Sequence, residues 1–234
     1  DSTGIEVDQN MIQLCKENKL NILEGDALNL LPQFKNESIS IISIFHVIEH
    51  LENQKLQKLI SECYRILKSD GVLIMETPSI DNILVATKLF YLDPTHVNPI
   101  NPDRMSFLLD NAGFYKNKYF YINGGPLQKA NPVKVTRILN GVAQDLLIVA
   151  TKNKSISHLL FEENIDWKST LGIAPTTLEA AIEYDLEREK QERETIDELK
   201  TQILRLNKIL KYPLIGFSLL KIILRLLYKL ARKI

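Results

Sequence analysis

The stretch Ser38–Leu51, SISIISIFHVIEHL, joins a buried-strand pattern to a cluster of titratable side chains. Its first half is rich in isoleucine, and its second half contains His46, Glu49 and His50. A continuous apolar run of this kind is typical of a strand that is covered on both faces of a sheet. Open α/β sheets bind their ligands beyond the carboxyl ends of such strands. We therefore predict a central strand over Ser38–Phe45 that leads into an active-site loop.

Strand and helix patterns alternate on both sides of this stretch. The predicted strands are Thr3–Val7, Leu20–Leu23, Ser38–Phe45, Val72–Glu76, Tyr115–Ile122 and Asp145–Ala150, and the predicted helices are Asn10–Lys19, Asn53–Leu67 and Pro102–Ala112. Short polar turns such as Ser69–Gly71 separate them. This alternation predicts an α/β fold with a doubly wound, parallel sheet.

The 234 residues carry no net charge, but the charge is unevenly distributed. Residues 162–198 contain twelve acids and four bases, whereas residues 199–234 contain nine bases and no acid. The composition and patterns predict an α/β domain over 1–152, a linker over 153–175, a charged helix over 176–212 and an amphipathic helix over 213–234. Cys15 and Cys63 show no pairing or CxxC spacing, which predicts reduced thiols in a cytosolic protein.

The segment Leu214–Ile234 places all its cations on one arc of a helical wheel and aliphatic residues on the rest. The pattern predicts a helix that lies in the plane of an anionic membrane surface rather than one that spans it. Burial against a partner protein is the alternative. Because the cations are not interleaved with aromatic residues, we predict no nucleic-acid partner. The expected location is cytoplasmic, peripheral on the inner face of the cell membrane.

The charged helix contains apolar residues at the spacing of a coiled coil. These residues are Ile196, Leu199, Ile203, Leu206 and Leu210. They predict a homo-oligomer through 196–210, with a solvated single helix as the alternative.

Five motifs resemble successive landmarks of class I S-adenosylmethionine-dependent methyltransferases. They are GIEVD (4–8), EGDAL (24–28), SIFHVIEHL (43–51), YRILKSDGVLIMETP (64–78) and LLIVATK (146–152). Residues 91–114 are similar to methyltransferases of bacterial surface-polysaccharide assembly, including the O-antigen chain-terminating type used in lipopolysaccharide biosynthesis. The resemblance implies a Rossmann-like methyltransferase sheet that binds S-adenosyl-L-methionine.

The resemblance also implies which residues hold the cofactor. Glu6 matches the acid that accepts the ribose hydroxyls, and Asp26 matches the carboxylate that receives the adenine amino group. The implied cofactor-binding residues are Glu6, Val7, Asp26, Ala27, Phe45 and His46. Helix capping by Glu6 or Asp8 and an ordinary Gly-Asp turn at Asp26 are the alternatives. Since only Asp1 and Ser2 precede the acid-bearing strand, the resemblance predicts N-terminal truncation, with the first strand, its helix and the glycine-rich loop missing.

His50 and His96 are the candidate catalytic residues, because methyl transfer to a hydroxyl often uses a base. The alternative is that each histidine only fixes its loop through a hydrogen bond. If the acceptor is a phosphate, cationic groups such as His96 or Arg104 would position it instead. HVIEH does not match the zinc motif HExxH, so we predict no metal site.

Two functional hypotheses follow. The first is an enzyme that methylates a saccharide, phosphosaccharide or lipid-linked glycan acceptor at the cytoplasmic membrane face. The second is a catalytically inactive, methyltransferase-like scaffold that docks polysaccharide-assembly enzymes to the membrane.

Overall fold

In the computed structural model of the chain, the described residues are 2–129, 134–161, 171–210 and 225. The chain divides into two compact units, Asp1–Ala181 and Ile182–Ile234. The first unit contains every strand among the described residues. The predicted domain boundary at 152 therefore falls inside this unit.

The strands are β1 (Gly4–Glu6), β2 (Ile22–Glu24), β3 (Ile39–Phe45), β4 (Leu67–Pro78), β5 (Lys116–Gly124) and β6 (Ala143–Thr151). The α-helices are α1 (Gln9–Glu17), α2 (Ala27–Leu30), α3 (Asn53–Ile66), α4 (Pro102–Ala112), α5 (Val135–Asn140), α6 (Lys154–Phe161) and α7 (Thr177–Leu210). A π-helical segment, Val85–Leu89, lies between β4 and α4. Within the described residues the predicted strands and helices are present; the helix Pro102–Ala112 has the predicted bounds, and the ends of the others are shifted.

The strands form two sheets, and one of them is mixed. β1 and β2 pair in parallel as one sheet, and the other has the order β3-β4-β6-β5. β3 and β4 are parallel, whereas β6 runs antiparallel to both β4 and β5. The prediction of a parallel sheet was therefore wrong for β6, which is antiparallel to both of its neighbours, whereas β5 runs in the same direction as β3 and β4. The carboxyl ends of β3 and β4 still lie at the same edge, which is what places the candidate site.

The core lies where α3 and α4 cover the middle of the larger sheet. β4 buries alternate side chains, including Leu73 and Met75, while β6 is buried along most of its length. The apolar stripe of α3 contributes Leu56, Ile60 and Cys63 to the same cluster. This packing, rather than helix propensity, supplies most of the stability of such helices.

Two predicted boundaries need correction. β4 begins at Leu67, which pairs with Ile39 across an irregular register, so Ser69–Gly71 belongs to the strand and is not a separating turn. The predicted linker contains α6, and Leu160 and Phe161 pack against the cluster built on Phe120. This part of the linker prediction was wrong, because α6 covers the second face of the sheet.

The tail prediction for Leu214–Ile234 lies outside the described residues, except for Arg225. Within the parts of the chain that are described, no helix is long and apolar enough to cross a membrane. In α7, Ile196 and Ile203 of the predicted seam are about half exposed. Oligomerisation through this seam stays a prediction.

The two thiols should differ sharply in reactivity. Cys63 is fully buried, and this burial raises the pKa of its thiol to about 12. Cys15 is partly exposed. Since the thiolate is the reactive form, we expect the native protein to react with a disulfide reagent at one thiol near pH 8 and the denatured protein at two. The Cys15→Ser variant should show no reaction while native, and a native reaction at Cys63 would contradict the packing.

Arg65, on α3, forms hydrogen bonds that connect its helix to the segment Leu31–Asn36. Its guanidinium donates to the carbonyls of Leu31 and Phe34 at 3.0 and 2.9 Å and to the Asn36 side chain at 2.7 Å. It also donates to Glu62 on its own helix at 2.7 Å. Two of these bonds link α3 to carbonyls at the two ends of the short 3-10 helix Leu31–Gln33 and its cap residue Phe34.

We expect Arg65→Ala to lower the free energy of unfolding several-fold more than Arg188→Ala does, since several hydrogen bonds from a charged donor contribute more than one exposed ion pair. Urea denaturation monitored by circular dichroism measures the change. Arg188→Ala is the control, because Arg188 pairs with Glu192 on the exposed surface of α7. Equal effects of the two substitutions would contradict the role given to Arg65.

Candidate functional site

Glu6 and Asp26 lie at the carboxyl ends of the paired strands β1 and β2. Glu6 Oε1 accepts hydrogen bonds from the backbone N–H groups of Val7 and Asp8, at 2.7 and 2.9 Å. Oε2 of Glu6 has no hydrogen bond to any described residue. Glu6 therefore holds the loop between β1 and α1 without capping α1, whose cap is Asp8, and retains one oxygen for a ligand.

Two further carboxylates at this edge act as helix caps. Asp8 Oδ1 accepts from the backbone N–H groups of Asn10 and Met11 at the start of α1. Asp26 Oδ1 accepts from the N–H of Leu28 at 2.7 Å, which caps α2, and Ala27 is the first residue of that helix. The capping explanation of Asp8 is confirmed. The cofactor roles of Asp26, Ala27 and Val7 stay predictions.

Phe45 and His46 end β3 and are both about half exposed. His46 adopts a left-handed backbone conformation with φ of 51°, which is uncommon for a residue other than glycine and often occurs at functional sites. Its ring lies between two carboxylates, 3.3 Å from Glu49 Oε1 and 3.5 Å from Glu76 Oε1. The structure thus directs the end of β3 into a polar cluster.

Glu49 is completely buried although it is ionisable. Its Oε2 accepts a hydrogen bond from the Thr77 hydroxyl at 3.0 Å, whereas Oε1 has no hydrogen-bond partner. Its main-chain carbonyl accepts the N–H groups of Val97 and Asn98, both at 3.0 Å. A buried carboxylate with one unsatisfied oxygen is costly in a native protein, and Glu49 is therefore the most conspicuous polar group at this edge.

A chain of hydrogen bonds fixes His50. The Thr95 hydroxyl donates to Asp93 Oδ1 at 2.6 Å and lies 2.8 Å from His50 Nδ1. Because that hydroxyl has only one proton, His50 Nδ1 must donate to it, which leaves a lone pair on Nε2. Hydrogen bonds from the Thr95 hydroxyl and backbone N–H lower the pKa of Asp93, so Asp93 remains an ionised acceptor at neutral pH.

His96 is fixed in the same sense by a different group. Its Nδ1 lies 2.7 Å from the carbonyl oxygen of Phe90, and since a carbonyl only accepts, Nδ1 carries the proton. The His96 and His50 rings are 4.6 Å apart between centroids, and the Phe90 ring lies 4.6 Å from His96 on another side. The structure thus brings the two predicted catalytic histidines together, and Nε2 is the nitrogen that holds the lone pair when either ring is neutral. His96 Nε2 lies 3.9 Å from Asp93 Oδ2.

A second cluster of polar side chains lies at the ends of β4, β5 and β6. The Asn123 side-chain amide donates to Asp145 Oδ2 at 2.9 Å and to Glu76 Oε1 at 3.3 Å. Tyr121 donates its hydroxyl proton to Asp81 Oδ2 at 2.7 Å. Burial, followed by this bond to Asp81, raises the Tyr121 pKa. These side chains offer several hydrogen-bond acceptors near one another.

Sequence reasoning missed several members of these groups as site residues. Glu49 was noticed as a polar neighbour of the histidines, but Thr77 and Thr95 were not. The DPTH sequence at 93–96 could have indicated the hydrogen bond from Thr95 to Asp93, since Thr and Asp form local turns of this type. The predicted phosphate-binding Arg104 instead contacts the side chains of Asn98 and Asn53.

Comparisons with known proteins agree on one family. A profile described as a methyltransferase domain matches residues 1–75. A probable S-adenosylmethionine-dependent methyltransferase of Mycolicibacterium smegmatis is 34% identical over 96 residues, which are 41% of this chain and 35% of that protein. One of Mycobacterium tuberculosis is 32% identical over 77 residues, 33% of this chain and 27% of that protein. The crystal structure of a SAM-dependent methyltransferase from Archaeoglobus fulgidus matches with a TM-score of 0.56 and 30% identity, covering 64% of this chain and 75% of that one.

The α/β fold with its mixed sheet, together with these similarities, identifies a Rossmann-like methyltransferase domain. The chain belongs to the S-adenosylmethionine-dependent methyltransferase family, and S-adenosylmethionine is the cofactor of that family. The chain spans 35% and 27% of the lengths of the two curated relatives it matches. Two of the implied binding residues fit this cofactor. Glu6, at the end of β1, keeps one carboxylate oxygen without a described partner, which suits the ribose hydroxyls. Phe45, at the end of β3, exposes an apolar ring.

Proposed function

We propose that the protein methylates an oxygen atom of a saccharide, phosphosaccharide or lipid-linked glycan at the cytoplasmic face of a membrane. S-adenosylmethionine supplies the methyl group: its S–CH3 bond breaks as the new O–CH3 bond forms, and S-adenosylhomocysteine leaves. An acceptor hydroxyl loses its proton in this reaction, and groups that promote this loss commonly speed such a step. The pair of imidazoles at His50 and His96, whose ring centroids lie 4.6 Å apart and whose Nδ1 atoms are both held by hydrogen bonds, is the observation that carries the proposal.

The second cluster of polar side chains, at the ends of β4, β5 and β6, supports the proposed class of acceptor. Glu76, Asp81 and Asp145 provide carboxylate oxygens, and Asn123 orients two of these side chains. Carboxylates and amides are suited to binding several hydroxyls. The side chains of Tyr91 and Leu92, which directly precede Asp93 in the chain, are exposed. An exposed apolar surface of this kind is suited to contact a sugar ring or a lipid carrier.

Methyl transfer from tritiated S-adenosylmethionine to a panel of glycans, phosphoglycans and lipid-linked glycans tests this proposal. We expect label in an acceptor with a free hydroxyl and release of one S-adenosylhomocysteine per methyl group. Label found only in amines or in protein would contradict the acceptor class. A protein that binds no cofactor by calorimetry and labels nothing would instead support the scaffold hypothesis.

Membrane attachment is tested separately by liposome flotation. We expect the full chain to float with vesicles containing anionic lipid, because Leu214–Ile234 combines five cations with an apolar surface, and each cation contributes about 1 kcal/mol near such a surface. Deletion of Leu214–Ile234 should abolish flotation, and 0.5 M salt should weaken it. Flotation that survives the deletion would overturn this part of the proposal.

A further inference from the structure

The side chains of Glu49, His50 and His96 converge in the folded chain. One carboxylate oxygen of Glu49 and one ring nitrogen of each histidine all lie within 4.8 Å of one another. Glu49 is fully buried, and its Oε1 has no hydrogen-bond partner. His46 Nδ1 lies 3.3 Å from this oxygen, but the ring is half exposed and forms no hydrogen bond there. A buried carboxylate with one oxygen lacking a hydrogen-bond partner, close to a ring nitrogen of each of two histidines, is an arrangement that a bound cation would stabilise.

We propose that Glu49, His50 and His96 bind a divalent transition-metal ion of the zinc type. Two imidazoles and one carboxylate are a set of ligands used in catalytic zinc sites, where a fourth position remains open. Imidazole nitrogen selects such ions over Mg²⁺, which prefers oxygen ligands. Bonds of about 2.0–2.2 Å to zinc place ligand atoms closer together than the 4.8 Å limit, so binding of an ion would draw the three side chains together.

Each proposed ligand is oriented by a second group. Thr77 donates to Glu49 Oε2, the Phe90 carbonyl holds Nδ1 of His96, and Thr95 holds Nδ1 of His50. Metal-binding histidines usually donate their other N–H to a carbonyl or carboxylate in this way, which fixes the nitrogen that faces the ion. The arrangement thus contains both the ligands and the groups that position them.

Only the catalytic consequence rests on the proposed function. An ion at this position would bind the acceptor oxygen in its open coordination site, lower the pKa of that hydroxyl and so promote loss of its proton. Both histidines would then act on the acceptor as ligands of the ion.

Isothermal titration of chelator-treated protein with Zn²⁺, in the absence of cofactor and acceptor, tests the proposal. We expect one bound ion per chain, no comparable binding of Mg²⁺, and a Co²⁺ complex with the absorption spectrum of nitrogen and oxygen ligands. Glu49→Gln and His96→Gln should weaken Zn²⁺ binding by at least about 100-fold, and Thr77→Val by about 10-fold. Thermal unfolding verifies that each variant is folded. If Glu49→Gln does not fold, because Glu49 is buried, His96→Gln still tests the proposal.

His158→Gln is the matched control, since His158 lies on the exposed side of α6 and its loss should leave Zn²⁺ binding unchanged. His46→Gln should also bind Zn²⁺ normally. The proposal is overturned if wild-type protein binds no Zn²⁺, if Glu49→Gln and His96→Gln bind it as well as wild type does, or if His158→Gln loses it equally. Because binding is measured without methyl transfer, a failure of the proposed enzymatic function leaves this result unaffected, and the reverse also holds.

Discussion

Replacement of His50 by glutamine is expected to reduce the rate constant of methyl transfer by about 10²–10⁴-fold, the range typical of losing a group that assists proton transfer. Glutamine retains a donor near the Thr95 hydroxyl but provides no imidazole lone pair. His96→Gln should have a similar effect, because the two rings lie 4.6 Å apart and share their surroundings. Single-turnover kinetics with saturating cofactor measures the chemical step directly.

Thr95→Val separates positioning from chemistry at His50. Valine keeps the shape of threonine and removes the hydroxyl that holds Nδ1 of His50. We expect a smaller loss of rate than for His50→Gln, together with a changed pH profile, while the affinity for cofactor stays the same. Unchanged turnover in both His50→Gln and His96→Gln would remove the histidines from the mechanism and leave them the loop-fixing role.

Replacement of Glu6 by glutamine is expected to weaken binding of S-adenosylhomocysteine by about 10–100-fold, as for loss of one or two hydrogen bonds to a charged group. The amide oxygen can still accept the N–H groups of Val7 and Asp8, so the loop after β1 should keep its conformation. What is lost is the second anionic oxygen, which has no described partner and is suited to the ribose hydroxyls. Calorimetric titration of the folded variant measures the change.

Glu24→Gln provides the comparison for Glu6→Gln. Glu24 pairs with Glu6 in the register of β1 and β2 and forms an ion pair with Lys16 at 2.5 Å. It is therefore an acid at the same sheet edge whose charge is already matched. Equal losses of affinity in the two variants would show that net charge at this edge, rather than the Glu6 carboxylate, determines cofactor binding.

Elements with local signals were predictable from the sequence. The helix Pro102–Ala112 has the same boundaries in prediction and structure, because Asn101 caps its start, proline occupies its first position and Gly113 adopts φ of 106° at its end. The strand before His46 was likewise evident from its isoleucine-rich run. In such cases the decisive interactions span only a few residues.

The order and direction of strands depended on pairing between distant residues. β6 reads as a buried strand, yet nothing in Ala143–Thr151 specifies that it runs antiparallel between β4 and β5. The site also depends on contacts between distant residues. The hydrogen bond between Thr95 and His50 joins residues 45 positions apart in the sequence, and the one between Asn123 and Glu76 joins residues 47 positions apart. The burial of Glu49 likewise follows only from the assembled core.

The carbonyl of Glu49 accepts two successive N–H groups, from Val97 and Asn98, so residues 46–51 and 93–98 form one unit for protein engineering. A chimera that received residues 93–98 from a homologue without the matching residues 46–51 would replace the DPTH turn. It would keep the original Glu49 segment, whose carbonyl holds that turn in place. Attempts to alter acceptor preference by loop grafting should therefore transplant both segments together. The recipient backbone must also supply a hydroxyl at the position of Thr77, because that side chain orients Glu49 from the neighbouring strand.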